Sequence, residues 1–257
     1  MPVTNAEEVG FIRMRRRFLP MLQERQSAVG VPEKIYLSSN TKTGISINVS
    51  IAGTCNPTKL CMSSCYAMRG PMVFSESQKR QTENFILFQY LETAPESEVV
   101  RIVHELAKDV QRGRNPQNWF RWNGSGDLIP GSVRVINKFA ELYPNIIQWV
   151  ISRKPAMIET LADHPAIRLL VSIDETTPMD IKVRLLATKK RFKRTHTKFS
   201  YIRTSENQKI NVRQVSIVFN EHIGLKKVNH KDSRTCPATT KGASHEGSCD
   251  KCRKCFS

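Results

Sequence analysis

Seven cysteines carry most of the chemistry that this sequence offers, and they fall into two groups. Cys55, Cys61 and Cys65 follow the spacing C-x5-C-x3-C, and Cys236, Cys249, Cys252 and Cys255 follow C-x12-C-x2-C-x2-C. The 170 residues between the groups hold none. In a reducing compartment, clustered thiols point to metal or catalysis before disulfides. A closed metal site takes four protein ligands, whereas a reactive one keeps a position open. The last four cysteines therefore fit a complete four-thiolate site for zinc or an iron–sulfur cluster. The first three fit a [4Fe–4S] cluster with one iron left for another ligand. The tight C-x2-C-x2-C run is unusual for tetrahedral zinc and familiar from iron–sulfur ligation, so an auxiliary cluster is the first expectation there and zinc the alternative. His230 and His245 are lone loop histidines and are not counted as ligands.

Such loops need a rigid frame, and the chain alternates short β-rich runs with helical spacing. Residues 45–51 alternate apolar and polar and lead into a Gly53-containing loop. Residues 118–122, 146–152, 167–173, 199–203 and 213–219 read as five further strands. Residues 75–92, 98–112, 131–142, 155–163 and 178–191 read as helices, with Ser75 and Ser97 as N-caps of the first two. Six strands separated by helices imply an α/β fold with a parallel sheet, open and doubly wound or closed into a partial barrel. Both forms bind ligands beyond the carboxyl ends of their strands. The residues there form a polar rim: the Cys55 loop, Asn123 to Asp127, Arg153 and Lys154, Asp174 and Glu175, Thr204 and Ser205, and Asn220 to His222. Trp119, Trp122 and Trp149 read as packing residues rather than as a stacking platform.

The chain holds 40 Lys+Arg against 23 Asp+Glu, a formal net charge of +17 over 257 residues. Residues 180–257 hold 19 basic and 6 acidic residues, a net of +13, densest at Lys189, Lys190, Arg191, Lys193, Arg194 and Lys198. This bias predicts nucleic acid or another polyanion as a partner of residues 180–257. No zinc-finger, P-loop or dinucleotide-binding fingerprint is present. A hydrophobic fraction of 39% and the absence of any long apolar run argue against disorder and against a membrane span. The acids within residues 1–10 and the basic residues Arg13 and Arg15 to Arg17 argue against a signal peptide, so the expected location is the cytoplasm.

A first strand leading into a three-cysteine loop, followed by further βα units, resembles the radical S-adenosylmethionine (SAM) superfamily. The run Leu60-Cys61-Met62-Ser63-Ser64-Cys65-Tyr66-Ala67, a later Ser-Gly-Asp strand end and a C-terminal cysteine group also look like a bacteriophage family called gene product 88. The resemblance runs over roughly residues 40–257. It implies a partial (βα)6 TIM-like barrel of the radical-SAM type over residues 41–222, with a cluster loop at 53–70. An N-terminal helical or extended segment (1–40) would precede the barrel, and a basic cysteine-rich metal-binding extension (223–257) would follow. A phage origin would place the protein in the host cytoplasm.

In that superfamily three cysteines bind a [4Fe–4S] cluster whose fourth iron chelates SAM, and reduction yields a 5′-deoxyadenosyl radical. The resemblance therefore implies Cys55, Cys61 and Cys65 as cluster ligands. It implies Gly124, Gly126 and Asp127 at the strand end that contacts the SAM amino group. Arg153 becomes a candidate for the SAM carboxylate, and Ser172 or Asp174 for the ribose hydroxyls. The commonest family spacing, C-x3-C-x2-C, would put the third cysteine at position 68, which is Met68 here. A thioether is a poor substitute for thiolate at such a cluster, so Cys55 must supply the third ligand. The expected function is an iron–sulfur protein, radical-SAM-like, acting on an anionic substrate (nucleic acid or nucleotide) with an electron donor. The alternative is a non-catalytic, metal-stabilised phage protein that binds nucleic acid or a host protein. A zinc hydrolase or nuclease using Asp127, Asp174 and Glu175 ranks last, for want of a histidine set.

Overall fold

The computed structural model describes residues 5–27, 30–40, 43–68, 70–112, 118–191, 197–203, 215–220, 222–223, 226–227, 236, 249–252 and 255. Among them, seven strands make one sheet: β1 (Leu37–Asn40), β2 (Gly44–Ile47), β3 (Trp119–Trp122), β4 (Ile147–Ser152), β5 (Ile167–Ile173), β6 (Thr197–Arg203) and β7 (Val215–Asn220). They lie side by side in chain order. β1 pairs antiparallel with β2, and each later neighbour is parallel.

Parallel neighbours need a crossover connection. Helices α4 (Ser75–Leu91) and α5 (Glu96–Gln111) follow β2, α6 (Pro130–Leu142) follows β3, α7 (Pro155–Ile158) follows β4 and α8 (Met179–Arg191) follows β5. Before α4, the short helices α2 (Ile51–Thr54) and α3 (Lys59–Ser64) and the 3-10 turns Tyr66–Met68 and Gly70–Val73 form the cysteine loop, with α1 (Asn5–Ser27) packed on α2, α3 and α4. An antiparallel pair, β8 (His222–Ile223) and β9 (Lys226–Lys227), and the single turn α9 (Cys249–Cys252) come last. The fold is thus mixed α/β with a seven-strand, mostly parallel sheet.

Side chains alternate across a strand, so each strand feeds two faces. One face sends Phe120, Trp122, Val150, Leu169, Val171 and Phe199 into the main core, against α4, α5, α6 and α8. Phe120 meets Phe139 edge-on, with ring centres 5.1 Å apart. The Trp122 indole donates to Gln148 Oε1 (2.9 Å), and Gln148 donates to the Ile136 carbonyl (3.0 Å), so this buried polar pair is satisfied. The opposite face presents Trp119, Trp149, Leu170 and Ile217, and Cys236, Cys249 and Cys255 pack on it. All three tryptophans are buried, as their packing role requires. A third cluster joins Phe18 and Met21 of α1 to Ile51, Ala52 and Ala67 over the cysteine loop. An Arg25–Glu83 ion pair ties α1 to α4.

Several boundaries differ from the sequence expectation. The edge strand β1 went unread because Leu37–Asn40 has one apolar residue and no alternation. The strand expected over 45–51 stops at Ile47, since Thr54 and Cys55 bond back to the carbonyls of Ser50 and Ile51 and turn the chain helical. The caps of α4 and α5 are Phe74 and Pro95, not Ser75 and Ser97, which lie inside the helices. The helix expected over 155–163 ends at Ile158. Thr204 and Ser205, and Glu221 on the rim, lie outside the described residues. No helix among the described residues is long and apolar enough to cross a membrane.

Candidate functional site

The first cysteine set sits beyond the carboxyl end of β2, the first parallel strand. Cys55 caps the C-terminus of α2. Cys61 and Cys65 are four residues apart on and just after α3, so they share a face. The N-cap of α3 is Thr58, whose hydroxyl accepts from the Cys61 N–H at 3.2 Å. That hydroxyl also donates to Asp174 Oδ2 (2.6 Å) and accepts from Arg153 Nη1 (2.9 Å). Arg153 Nη1 reaches Asp174 Oδ2 as well, at 3.1 Å. Asp174 Oδ1 accepts from the Thr176 N–H and hydroxyl, and the Leu60 N–H donates to the same hydroxyl. The ends of β4 and β5 thereby hold the first turn of α3.

Burial pushes the Cys55 thiol far above its ordinary pKa, helped by the negative charge of Asp127 and the other two cysteines. Burial likewise raises Cys61, to about 11, against the opposing pull of Arg153. Burial works against the Arg153 charge, but the neighbouring Cys61 and Asp174 outweigh it and the guanidinium stays protonated. Burial would also raise Asp174, yet its bonds from Thr58, Arg153 and Thr176 hold it below the ordinary carboxylate value. None of the seven cysteines, all described, forms a disulfide. Met68 packs on the Phe18 cluster beside Cys55 and Cys65.

The strand end after β3 closes the other side of the loop. Asn123 (φ 54°) and Gly126 (φ 77°) take left-handed backbone conformations, which bring Asp127 back toward Thr54. The Asp127 N–H donates to Thr54 Oγ1 at 3.0 Å. Ser152 (2.6 Å) and the Leu128 N–H (2.8 Å) both donate to Asp127 Oδ1. Burial raises the Asp127 pKa despite those bonds. A Cβ on Gly126 would lie 2.6 Å from the Val49 carbonyl and 2.7 Å from Thr54 Oγ1; one on Gly124 would strike Asn48 and, at 2.9 Å, Ser46 Oγ. The protein's own β2 end therefore fills the space that both glycines leave. Ser172 lies farther along the sheet, its hydroxyl 3.1 Å from that of Ser200.

Cys236, Cys249 and Cys255 of the second set cover the sheet face opposite α4 to α8. The Cys236 N–H donates to the Val218 carbonyl at 2.8 Å, which lays this residue beside β7. Cys249 and Cys252 are three apart on α9. Burial pushes the Cys255 thiol up to about 12, reinforced by Cys236, Cys249 and Cys252 and opposed by Arg121. Among the described residues, the buried Arg121 Nε and Arg168 Nε and Nη1 meet no hydrogen-bond partner.

The structure brings Cys55, Cys61, Cys65, Asp127, Arg153 and Asp174 to one end of the sheet, and Cys236, Cys249 and Cys255 to its other face with Cys252 beside them. Among the described residues, no group of three or more His, Cys, Asp or Glu side chains is placed to hold a single metal ion. Thr58, Thr176, Thr54 and Ser152 were missed as site residues; only the position of Thr58, ahead of a short helix that holds Cys61 and ends at Cys65, was a local signal for one of them. Nearly all of the densest basic run, residues 189–194, has no described side chains.

A mixed α/β frame with two separate thiol sets is the class of protein that these elements define. The chain belongs to the gene product 88 family, whose sequence profile matches residues 21–257. No curated protein and no solved structure matches it.

Proposed function

We propose that the chain is a radical-SAM-like iron–sulfur protein with an open [4Fe–4S] site at Cys55, Cys61 and Cys65 and an auxiliary four-cysteine site at Cys236, Cys249, Cys252 and Cys255. The observation that carries the reading is the meeting of three half-buried, mutually interacting thiols beyond the first parallel strand, beside a buried carboxylate and a half-buried guanidinium. Six parallel strands in chain order, with α4 to α8 on one face, support reading the sheet as a partial (βα)6 barrel.

The donor chemistry fits. One zinc would gather its thiolates about 2.3 Å from a common centre, whereas a cubane spreads them over separate irons. Three thiols close enough to interact with one another could each take a separate iron of such a cluster. At the face that Cys236, Cys249 and Cys255 cover, Arg121 Nε, which has no partner among the described residues, suits an anionic metal–thiolate group, iron–sulfur or zinc. When bound, an open cluster would supply one-electron reduction of SAM. Asp127, bonded among the described residues only through Oδ1, would accept the SAM ammonium at Oδ2. Ser172 is the better ribose candidate, because the four bonds to Asp174 fill its four or so lone-pair sites. The basic residues within 180–257 would attract a polyanionic substrate, nucleic acid or nucleotide, in the cytoplasm, and an electron donor would serve the cluster.

One observation favours the alternative, a non-catalytic protein whose metal sites stiffen a surface for nucleic acid or a host protein. The room at Gly124 and Gly126 is taken by Val49, Thr54, Ser46 and Asn48, which leaves no glycine cradle for a ligand. Anaerobic purification with iron and sulfide assay tests the metal reading, and zinc at both sites would remove it. Incubation of the reduced protein with SAM should then release 5′-deoxyadenosine. An intact, reducible cluster that releases none would leave the binding protein ahead.

A further inference from the structure

We infer that Thr58, Arg153 and Asp174 are positioning residues for the cysteine loop: Thr58 joins α3 to an ion pair from the ends of β4 and β5, and Arg153 is the fixed counter-charge beside Cys61. The inference rests on the metal reading above for its cluster arm and on the geometry alone for its thiol arm.

The Thr58 hydroxyl has one proton to give and two lone pairs to receive with. All three are used: the proton on Asp174, the lone pairs on Arg153 and the Cys61 N–H. Asp174, none of it exposed, spends its oxygens on Thr58, Arg153 and Thr176. The Leu60 N–H at the second position of α3 is taken by Thr176, so two of the helix's orphan donors end on this one network. Residues 116 apart in sequence thus fix one short helix that would otherwise be too short to hold its own shape. Arg153 is one hydrogen-bonded atom from the Cys61 backbone. Three thiolates on a [4Fe–4S]2+ core leave about one negative charge, and a buried anion needs a fixed partner.

The test uses the full chain. Thr58→Val keeps the shape and removes the hydroxyl; Thr58→Ser restores it. With cluster-loaded protein, Thr58→Val should release the N-terminal iron to a chelator about 10–100-fold faster, the usual cost of losing an outer-shell partner, while Thr58→Ser and the C-terminal site keep the parent rate. Arg153→Met should lower the midpoint potential of the N-terminal cluster, and Arg153→Lys should recover most of the shift. With metal-free, reduced protein, Thr58→Val should speed alkylation of Cys61, identified by peptide mapping, about tenfold relative to Thr58→Ser, as the unlatched helix opens. Equal alkylation rates in these two variants, both folded by circular dichroism, would overturn the positioning role. A parent chain that takes up no iron would overturn the iron–sulfur reading and leave the alkylation arm to decide this one.

Discussion

Arg121 lies across the indole of Trp149, its guanidinium carbon 5.0 Å from the ring centre. One of its nitrogens donates to the Tyr66 hydroxyl at 3.1 Å, and Tyr66 follows Cys65 directly. Its charge also opposes the raised pKa of Cys255. One β3 side chain is therefore the neighbour of both cysteine sets. Stacking on an aromatic face and a planar fork of donors are properties of arginine that lysine lacks. Arg121→Lys should keep the charge but lose the fork, and Arg121→Met should lose both. We expect faster metal release from the C-terminal site, about tenfold or more for Arg121→Met and less for Arg121→Lys. Equal release from both variants and the parent would show that Arg121 does not support that site.

Gly126 makes a second prediction, on stability. Its φ of 77° strains any residue with a side chain, and a Cβ there would press on Val49 and Thr54. The strained backbone alone costs about 1–3 kcal/mol. Gly126→Ala should therefore lower the urea midpoint by more than that range implies, since Thr54 is also the acceptor for the Asp127 N–H. Gly70→Ala is the control: its φ is 58°, but nothing lies within 4 Å of the added carbon, so only the backbone cost should appear.

Local patterns carried most of what the sequence revealed. The strands after β2 are apolar runs, and each is found within two residues of its expected start or end. The cysteine sets are legible because the spacing of thiols along the chain is a local property. Long-range pairing is not. Nothing in the sequence says that Thr58 meets Asp174, or that the last cysteines lie against Trp149. Helix α4 shows the same limit from the other side. Apolar spacing marks Phe85, Phe88 and Leu91, but the equally buried Gln81 and Asn84 look like surface residues. They are inside because Gln81 accepts from Ser125 and Asn84 bonds Tyr36 and Asn48, which no periodicity encodes. At the glycines of the β3 loop, it is the chain's own Val49, Thr54, Asn48 and Ser46 that come close.

Alkaline pH should weaken the metal-free fold. An ordinary thiol titrates near 9.0, whereas Cys61 in the fold does so at about 11. A raised folded pKa contributes stability that is complete below the unfolded value and disappears as pH climbs through the folded one. Between pH 9 and 11 the unfolded chain loses the Cys61 proton first and gains accordingly. Urea midpoints of reduced, metal-free protein should fall across this window, less steeply in Cys61→Ala. Metal-loaded protein should lack this component, because binding has already removed the thiol protons. Identical slopes for the parent and Cys61→Ala would refute the assignment.

The two sites should also come apart by mutation. Cys55 follows β2 and Cys252 lies on α9, beyond β7, so neither set needs the other's ligands. If both hold [4Fe–4S] clusters, the parent carries about eight iron atoms and each single loss leaves about four. Cys55→Ala should remove the N-terminal cluster and leave the C-terminal one, because Cys61 and Cys65 alone cannot hold three irons. Cys252→Ala should do the opposite, but with a further effect: Cys236, Cys249 and Cys255 cover Trp119, Trp149 and Ile217, and bound metal would supply the free energy that holds them there. Chelation of the parent's C-terminal metal should therefore raise tryptophan exposure to a quencher, and Cys252→Ala should match it. If Cys55→Ala keeps full iron, the third ligand lies elsewhere. If Cys252→Ala leaves tryptophan quenching unchanged, the tail docks by packing alone and the metal is not what fastens it.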